Sequence, residues 1–295
     1  MEGFHMKKNN LKFLIVTLLI ITTSIVFAAC SGKNNSSKGE KIGTITSLGS
    51  TALKPLVEES AKKFKEKNPK VNINVQGGGS GAGISQVSEG TVEIGNSDVP
   101  AETKLKDKEK LKQLVDHKVC AIGFSVVTHK DVKVDNLTKE QIQGIFTGKY
   151  TNWKEVGGED LQINVVNRPK SSGTRATFKD TIMGDENEKE GLGIVQDSSD
   201  AVSKSIQSTK GSISYLALSY LTEEKSQELK LLKIDNMEAS KENIINKKYP
   251  FWSYEHMYTK GEAQGLVKEF LDYMTSDDNK AVVEKLGYIP MGNLK

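Results

Sequence analysis

Three times along this chain a strand-like apolar run stops at a cluster of glycine, serine and threonine, and a helical pattern begins directly after it. The clusters are "GSTAL" at 49–53, "GGGSGAG" at 77–83 and "SSGTR" at 171–175. "KIGTITSLGS" reads as a strand entering the first. "TALKPLVEESAKKFKEKNP" then places Leu53, Leu56, Val57, Ala61 and Phe64 on one helical face, and Asn68-Pro69 ends that helix. "KVNINVQ" leads into the second cluster and a short helix through Val87, and "LQINVVNRP" leads into the third. Strands are also predicted in "TVEIGNSDVP", "LVDHKVCAIGFSVVTHK", "KGSISYLALSYL" and "ELKLLKI". Helices are predicted after Thr138, which caps "KEQIQGIF", and through "GEAQGLVKEFLDYMTSDDNKAVVEKLG" at the C-terminus. Strands alternating with helices imply an α/β sheet with a strong parallel component. There is no internal repeat.

Such junctions carry chemistry. Each places backbone N–H groups and hydroxyls at the positive end of a helix, where phosphate or sulfate binds well. In open α/β folds ligands sit beyond the carboxyl ends of the strands, where these loops lie. One junction alone is an ordinary helix cap. Three of one chemical kind, with Arg168 just before the third, favour a shared anion site. Other motifs fail. "GGGSGA" fits only a relaxed G-x-G-x-x-A fingerprint. Tyr150 follows Gly148-Lys149 where a phosphate P-loop needs Ser or Thr, and Ala82 spoils a G-x-S-x-G nucleophile elbow. Ser60 begins S-x-x-K, but mid-helix and without S-D-N or K-T-G. His5, His117, His129 and His256 lack metal spacing.

The N-terminus does not read as fold. Lys7, Lys8 and Lys12 precede an apolar run from Phe13 to Phe27, followed by Ala28, Ala29 and Cys30. This order makes residues 1–29 a secretory signal, too short in its apolar part for a comfortable membrane span. Met6 offers a second start with a normal basic region. Cysteine directly after two alanines resembles the bacterial lipobox, with Phe27 where such boxes more often carry Leu. Residues 30–40 then form a lipidated Cys30 and a polar, flexible tether. Downstream only Cys120 remains, which excludes an internal disulfide; it lies in an apolar run and reads as a buried thiol. The net charge of +3, with lysines spread among acids, gives no nucleic-acid surface.

Beyond the tether the chain resembles the phosphate-binding lipoproteins of bacterial phosphate ABC transporters. The likeness rests on "GSTALKPL", "QGGGSGAGI", "IGNSDVP", "IFTGKYTNWKEVGG", "NRPKSSGTRATF" and "GYIPM", in that order. It implies a two-lobed, type II periplasmic-binding-protein-like α/β clamshell with a hinge. Lobe one would hold residues 41–124 and 254–295, and lobe two 125–253. It implies extracytoplasmic capture of inorganic phosphate and delivery to membrane permease subunits, by a lipid-anchored monomer on the outer face of the cell membrane. It calls for no cofactor, no metal and no catalysis.

By motif the resemblance assigns the ligand groups. Ser50, Thr51 and the Ala52 N–H come from the first cluster, Ser80 from the second, and Ser172, Gly173 and Thr174 from the third. Arg168 would be the charged donor, and Asp98 the acceptor of a phosphate proton. Some relatives carry an acid two residues after this arginine; here Lys170 stands there, which leaves open how Arg168 is held. A binding protein for sulfate, molybdate or another oxyanion is an alternative reading, one that should not want Asp98 in the site. A serine hydrolase or phosphatase working through Ser172 is another, but no histidine or metal set accompanies that serine.

Overall fold

The computed structural model describes residues 41–221 and 229–294, so the signal segment, Cys30 and the tether lie outside the described residues. The first third alternates strand and helix as the sequence predicts. β1 (Gly43–Gly49) leads to α1 (Lys54–Lys67), β2 (Val71–Gln76) to α2 (Ser80–Glu89), and β3 (Ile94–Ser97) to the short α3 (Ala101–Lys104) and α4 (Lys108–Lys112). Lys54-Pro55 opens α1 where proline costs no hydrogen bond, and Asn68 closes it. Its buried face is Leu56, Val57, Ser60, Ala61 and Phe64, the predicted apolar stripe with one serine in it. That serine is satisfied: Ser60 and Asn279 exchange hydrogen bonds within the core.

The long strand β4 (Leu114–His129) follows, then β5 (Asn136–Leu137) and α5 (Lys139–Phe146). Thr138 and Gln141 form a reciprocal capping box at the start of α5, as the Thr138 reading anticipates. β6 (Asn164–Asn167) runs into α6 (Gly173–Phe178), which continues as a π-helical turn through Met183. Next come β7 (Ile194–Val195), α7 (Ser199–Ser208), β8 (Ser212–Ala217), β9 (Leu229–Ile234) and α8 (Lys241–Ile245). The C-terminal part holds β10 (Trp252–Lys260), α9 (Gly265–Thr275), α10 (Asp277–Lys285) and β11 (Ile289–Pro290).

The sheet order is β2-β1-β3-β10-β4-β8-β6-β7. Both ends are parallel: β1 with β2 and β3, and β6 with β7 and β8. The middle is antiparallel, which the alternation of elements did not foretell. β10 ("WSYEHMYTK"), not read as a strand in the sequence, pairs antiparallel with β3 and β4. β4 changes partners along its length. Its residues 114–123 pair with β10, and residues 124–129 pair with β8 and β9. The chain therefore passes from one half of the sheet to the other between Gly123 and Phe124.

That crossing is pinned by aromatic packing. Phe124 stacks on Phe251 at 5.1 Å, and Phe178 of α6 stacks on Tyr215 of β8 at 4.2 Å and contacts Phe251 at 5.5 Å. Phe124 N–H donates to Phe251 O at 2.9 Å, and Tyr249 OH donates to Phe124 O at 2.8 Å. Each buried ring removes a large apolar area from water, so this cluster holds α6 firmly against the strand crossing. Cys120 lies nearby, fully buried, and burial pushes its thiol well above the usual range. It is an inert core residue, as its apolar context predicts.

Candidate anion-binding site

The three Gly/Ser/Thr junctions converge at the carboxyl ends of β1, β2 and β6, on both sides of the strand crossing, with Asp98 just beyond the end of β3 beside them. Their side chains are almost completely buried: Ser50, Thr51, Ser80, Asp98, Arg168, Ser172 and Thr174 are each 5% exposed or less. The halves touch directly. Gly81 N–H donates to Ser171 O at 2.9 Å, and Tyr220 OH donates to Thr51 O at 2.9 Å. Gly173 is demanded by this approach, because a Cβ there would lie 2.0 Å from Ser80 Oγ and 2.9 Å from Asp98 Cγ.

Asp98 sits at one pole. It follows β3, where its own N–H donates to Ser80 Oγ at 3.0 Å. Its carboxylate accepts from Ser50 Oγ on one oxygen and from Thr174 Oγ1, at 2.8 Å, on the other. Thr174 belongs to the opposite half, so this bond spans the cleft. Ser50 Oγ also accepts from the N–H groups of Ala52 and Leu53, at 3.1 and 3.0 Å. The Ala52 N–H, expected as a ligand donor, is thus engaged by Ser50. Ser172 likewise spends its hydroxyl oxygen on the N–H of Arg175 at 3.2 Å, as a helix cap does.

Arg168 sits at the other pole, 1% exposed. Its Nε donates to Gln196 O at 3.0 Å, and its Nη2 to Asp197 O and Thr51 Oγ1 at 3.3 Å each. Its Nη1 has no partner. Among the described residues no carboxylate lies within ion-pair distance of it. Lys170, in the place where some relatives have an acid, reaches outward to Glu190 on the surface at 3.1 Å. Backbone carbonyls thus orient the guanidinium and leave its charge uncompensated. Burial pulls the Arg168 pKa down from its ordinary value, partly opposed by the charges of Tyr215 and Asp98.

Two further groups complete the cradle without having been picked out in the sequence. Ser199, at the start of α7, shares a 3.0 Å hydrogen bond with Thr51 Oγ1 and donates its N–H to the same oxygen at 3.2 Å. "DSSDA" at 197–201 is a fourth polar junction before a helix, and the rule applied to the other three would have found it. Lys104 Nζ donates to the carbonyls of Lys170 and Ser172 at 2.7 and 2.9 Å, tying α3 across the cleft. No spacing in the sequence signals that contact. The arrangement can hold a small anion by hydroxyls, helix-terminal N–H groups and one guanidinium, with a carboxylate on hand for an O–H of the ligand.

Two α/β halves joined by a strand crossing, with an enclosed polar cradle between them, define a two-lobed α/β binding protein. A family model for the PBP superfamily domain matches residues 34–278. The chain is 47% identical over 300 residues to the phosphate-binding protein PstS of Bacillus subtilis, covering 98% of this chain and 97% of that protein. Its structure is similar to that of a candidate phosphate ABC transporter substrate-binding protein from Clostridium perfringens, crystallised with bound phosphate. There the TM-score is 0.77 at 33% identity, covering 84% of this chain and all of the other. An ABC-type phosphate transport receptor from Vibrio cholerae gives a TM-score of 0.65 at 27% identity, with 84% and 100% coverage. The chain belongs to the PBP superfamily, in the family of the PstS phosphate-binding proteins.

Proposed function

We propose that this chain captures inorganic phosphate outside the cytoplasm, between its two lobes, and hands it to the permease of an ABC importer. The observation that carries this reading is a buried arginine with, among the described residues, no carboxylate partner and one unpaired Nη1, set across a hydroxyl-lined cradle from a buried aspartate. An unpaired buried cation is costly unless an anion joins it. The ligand groups are Ser50, Thr51, Ser80, Asp98, Arg168, Ser172, Gly173 and Thr174, with the Ala52 N–H available if Ser50 turns toward the ligand. Ser199 and Lys104 support them. The change of partners within β4, and the Phe124–Phe251 bond, support a hinge at 123–126 and 249–254 between lobes 41–124 with 254–295 and 125–253. Among the described residues Ser172 has no histidine as a hydrogen-bond partner, which supports binding rather than hydrolysis.

Asp98 selects the ligand. Phosphate near neutral pH keeps at least one O–H, which a carboxylate accepts; sulfate has none, and would bring a bare oxygen against Asp98 where little water can screen it. Calorimetry with phosphate, sulfate and a chromogenic phosphate ester tests this. Phosphate should bind, sulfate should not, and the ester should be neither held tightly nor cleaved. Asp98→Asn, whose amide can turn to offer a donor, should admit sulfate. A variant that rejects sulfate as firmly as the wild type removes Asp98 from the selectivity. The signal segment and Cys30 support diacylglyceryl anchoring at the membrane, with the protein a monomer on the outer face. Cys30→Ala should abolish metabolic palmitate labelling, and label that persists would exclude this anchor.

A further inference from the structure

Glu255 is fully buried in β10, and neither of its carboxyl oxygens has a conventional donor. Its place in the sheet sets its neighbours. β10 and β3 run antiparallel with His256 opposite Ser97, so Glu255 and Asp98 come next to each other at the end of that ladder. On the β4 side Glu255 lies opposite Cys120, and a bulge separates it from His256. The titratable groups facing it are Asp98 after β3, Cys120 on β4 and Tyr288 just before β11; no lysine or arginine is among them. His256 turns away and binds Asp116 at 2.8 Å. Two buried carboxyls side by side, with no cation on Glu255, cannot both ionise. Asp98 already accepts from two hydroxyls, as an ionised carboxylate does. Burial, and after it the charge of Asp98, push the Glu255 carboxyl well above its usual range.

We propose that Glu255 is a neutral carboxylic acid that donates its proton to Asp98, and so is the positioning residue that sets the direction and single charge of the carboxylate facing phosphate. The pair carries one negative charge. The hydrogen bond from Glu255 occupies part of the Asp98 carboxylate and aims the remaining lone pairs across the cleft. A second ionised carboxylate here would repel the anion; an apolar residue here would leave Asp98 freer to turn. This inference rests on the phosphate-binding reading.

The test is infrared difference spectroscopy of the wild-type chain with calorimetry of two variants, using inorganic phosphate. The wild type should show the C=O stretch of a protonated carboxylic acid at neutral pH. Phosphate should shift that band, because the ligand competes for Asp98. Glu255→Gln should lack the band yet bind phosphate within about threefold of the wild type, since the amide still donates. Glu255→Leu should bind about tenfold or more weakly, as expected for losing a hydrogen bond to a charged group. Asp98→Asn leaves Glu255 in place and should move the same band, which keeps the assignment testable if the Gln variant does not fold. A phosphate-binding wild type whose band is missing or indifferent to phosphate overturns the role of Glu255, as does a Leu variant that binds normally. A wild type that takes up no phosphate in the calorimeter overturns the functional reading instead.

Discussion

Arg168 and Arg175 lie seven residues apart, on either side of the "SSGT" turn, and are treated in opposite ways. Arg175 is neutralised: its Nε pairs with Glu188, which is buried and also accepts from Tyr215 OH at 2.9 Å. Its Nη1 donates to Arg168 O at 2.6 Å. Arg168 meets only carbonyls and a threonine hydroxyl, and keeps its charge. Arg175 is therefore part of the frame, a link from the aromatic core through Tyr215 and Glu188 to the backbone of Arg168. Arg168 is the group that frame presents. Residue type is the same at the two positions; the presence or absence of a carboxylate separates a structural cation from a binding one.

Arg168→Gln should cost about 4 kcal/mol of phosphate binding, on the order of a thousandfold, because the buried guanidinium facing the anion is lost. Calorimetry would show it, and a loss under tenfold would place the binding charge elsewhere. Arg175→Met should act on folding instead. It strands Glu188 in the core and should lower stability by about 3 kcal/mol, with a lower Tm and the greater part of phosphate affinity retained. Burial, the largest influence, pushes the Glu188 carboxyl above its usual value despite Arg175. Without the arginine that rise grows. Stability tied to a raised carboxyl is full below the unfolded value and is lost as pH rises through the folded one. The Tm deficit of Arg175→Met should therefore widen from mildly acidic to neutral pH, and a deficit that narrows would mean Glu188 is not the stranded group.

The smallest effect concerns the turn between the two arginines. Thr174→Val removes a hydroxyl that bonds Asp98 across the cleft and should weaken phosphate by about 2 kcal/mol, tenfold or more. Thr91→Val, an exposed hydroxyl two residues beyond α2 that bonds Gln86 O, should leave binding unchanged. Equal effects from the two would reduce "SSGT" to a plain cap.

Local chemistry was legible where a few neighbouring residues suffice. The alternation of strand and helix, the apolar face of α1, the Thr138 cap, the buried Cys120 and the three polar junctions follow from periodicity, capping and turn preference within a dozen residues. What remained was decided at distance. The antiparallel centre of the sheet depends on β10 returning between β3 and β4, more than a hundred residues after either. Lys170 left open how Arg168 is held; only the fold shows that the carbonyls of residues 196 and 197 hold it. Glu255 reads as an ordinary acid in the sequence, and becomes a buried neighbour of Asp98 only through strand register. A residue's partners along the chain set its conformation, but the charge it can keep depends on which groups, and how little water, the tertiary structure places around it.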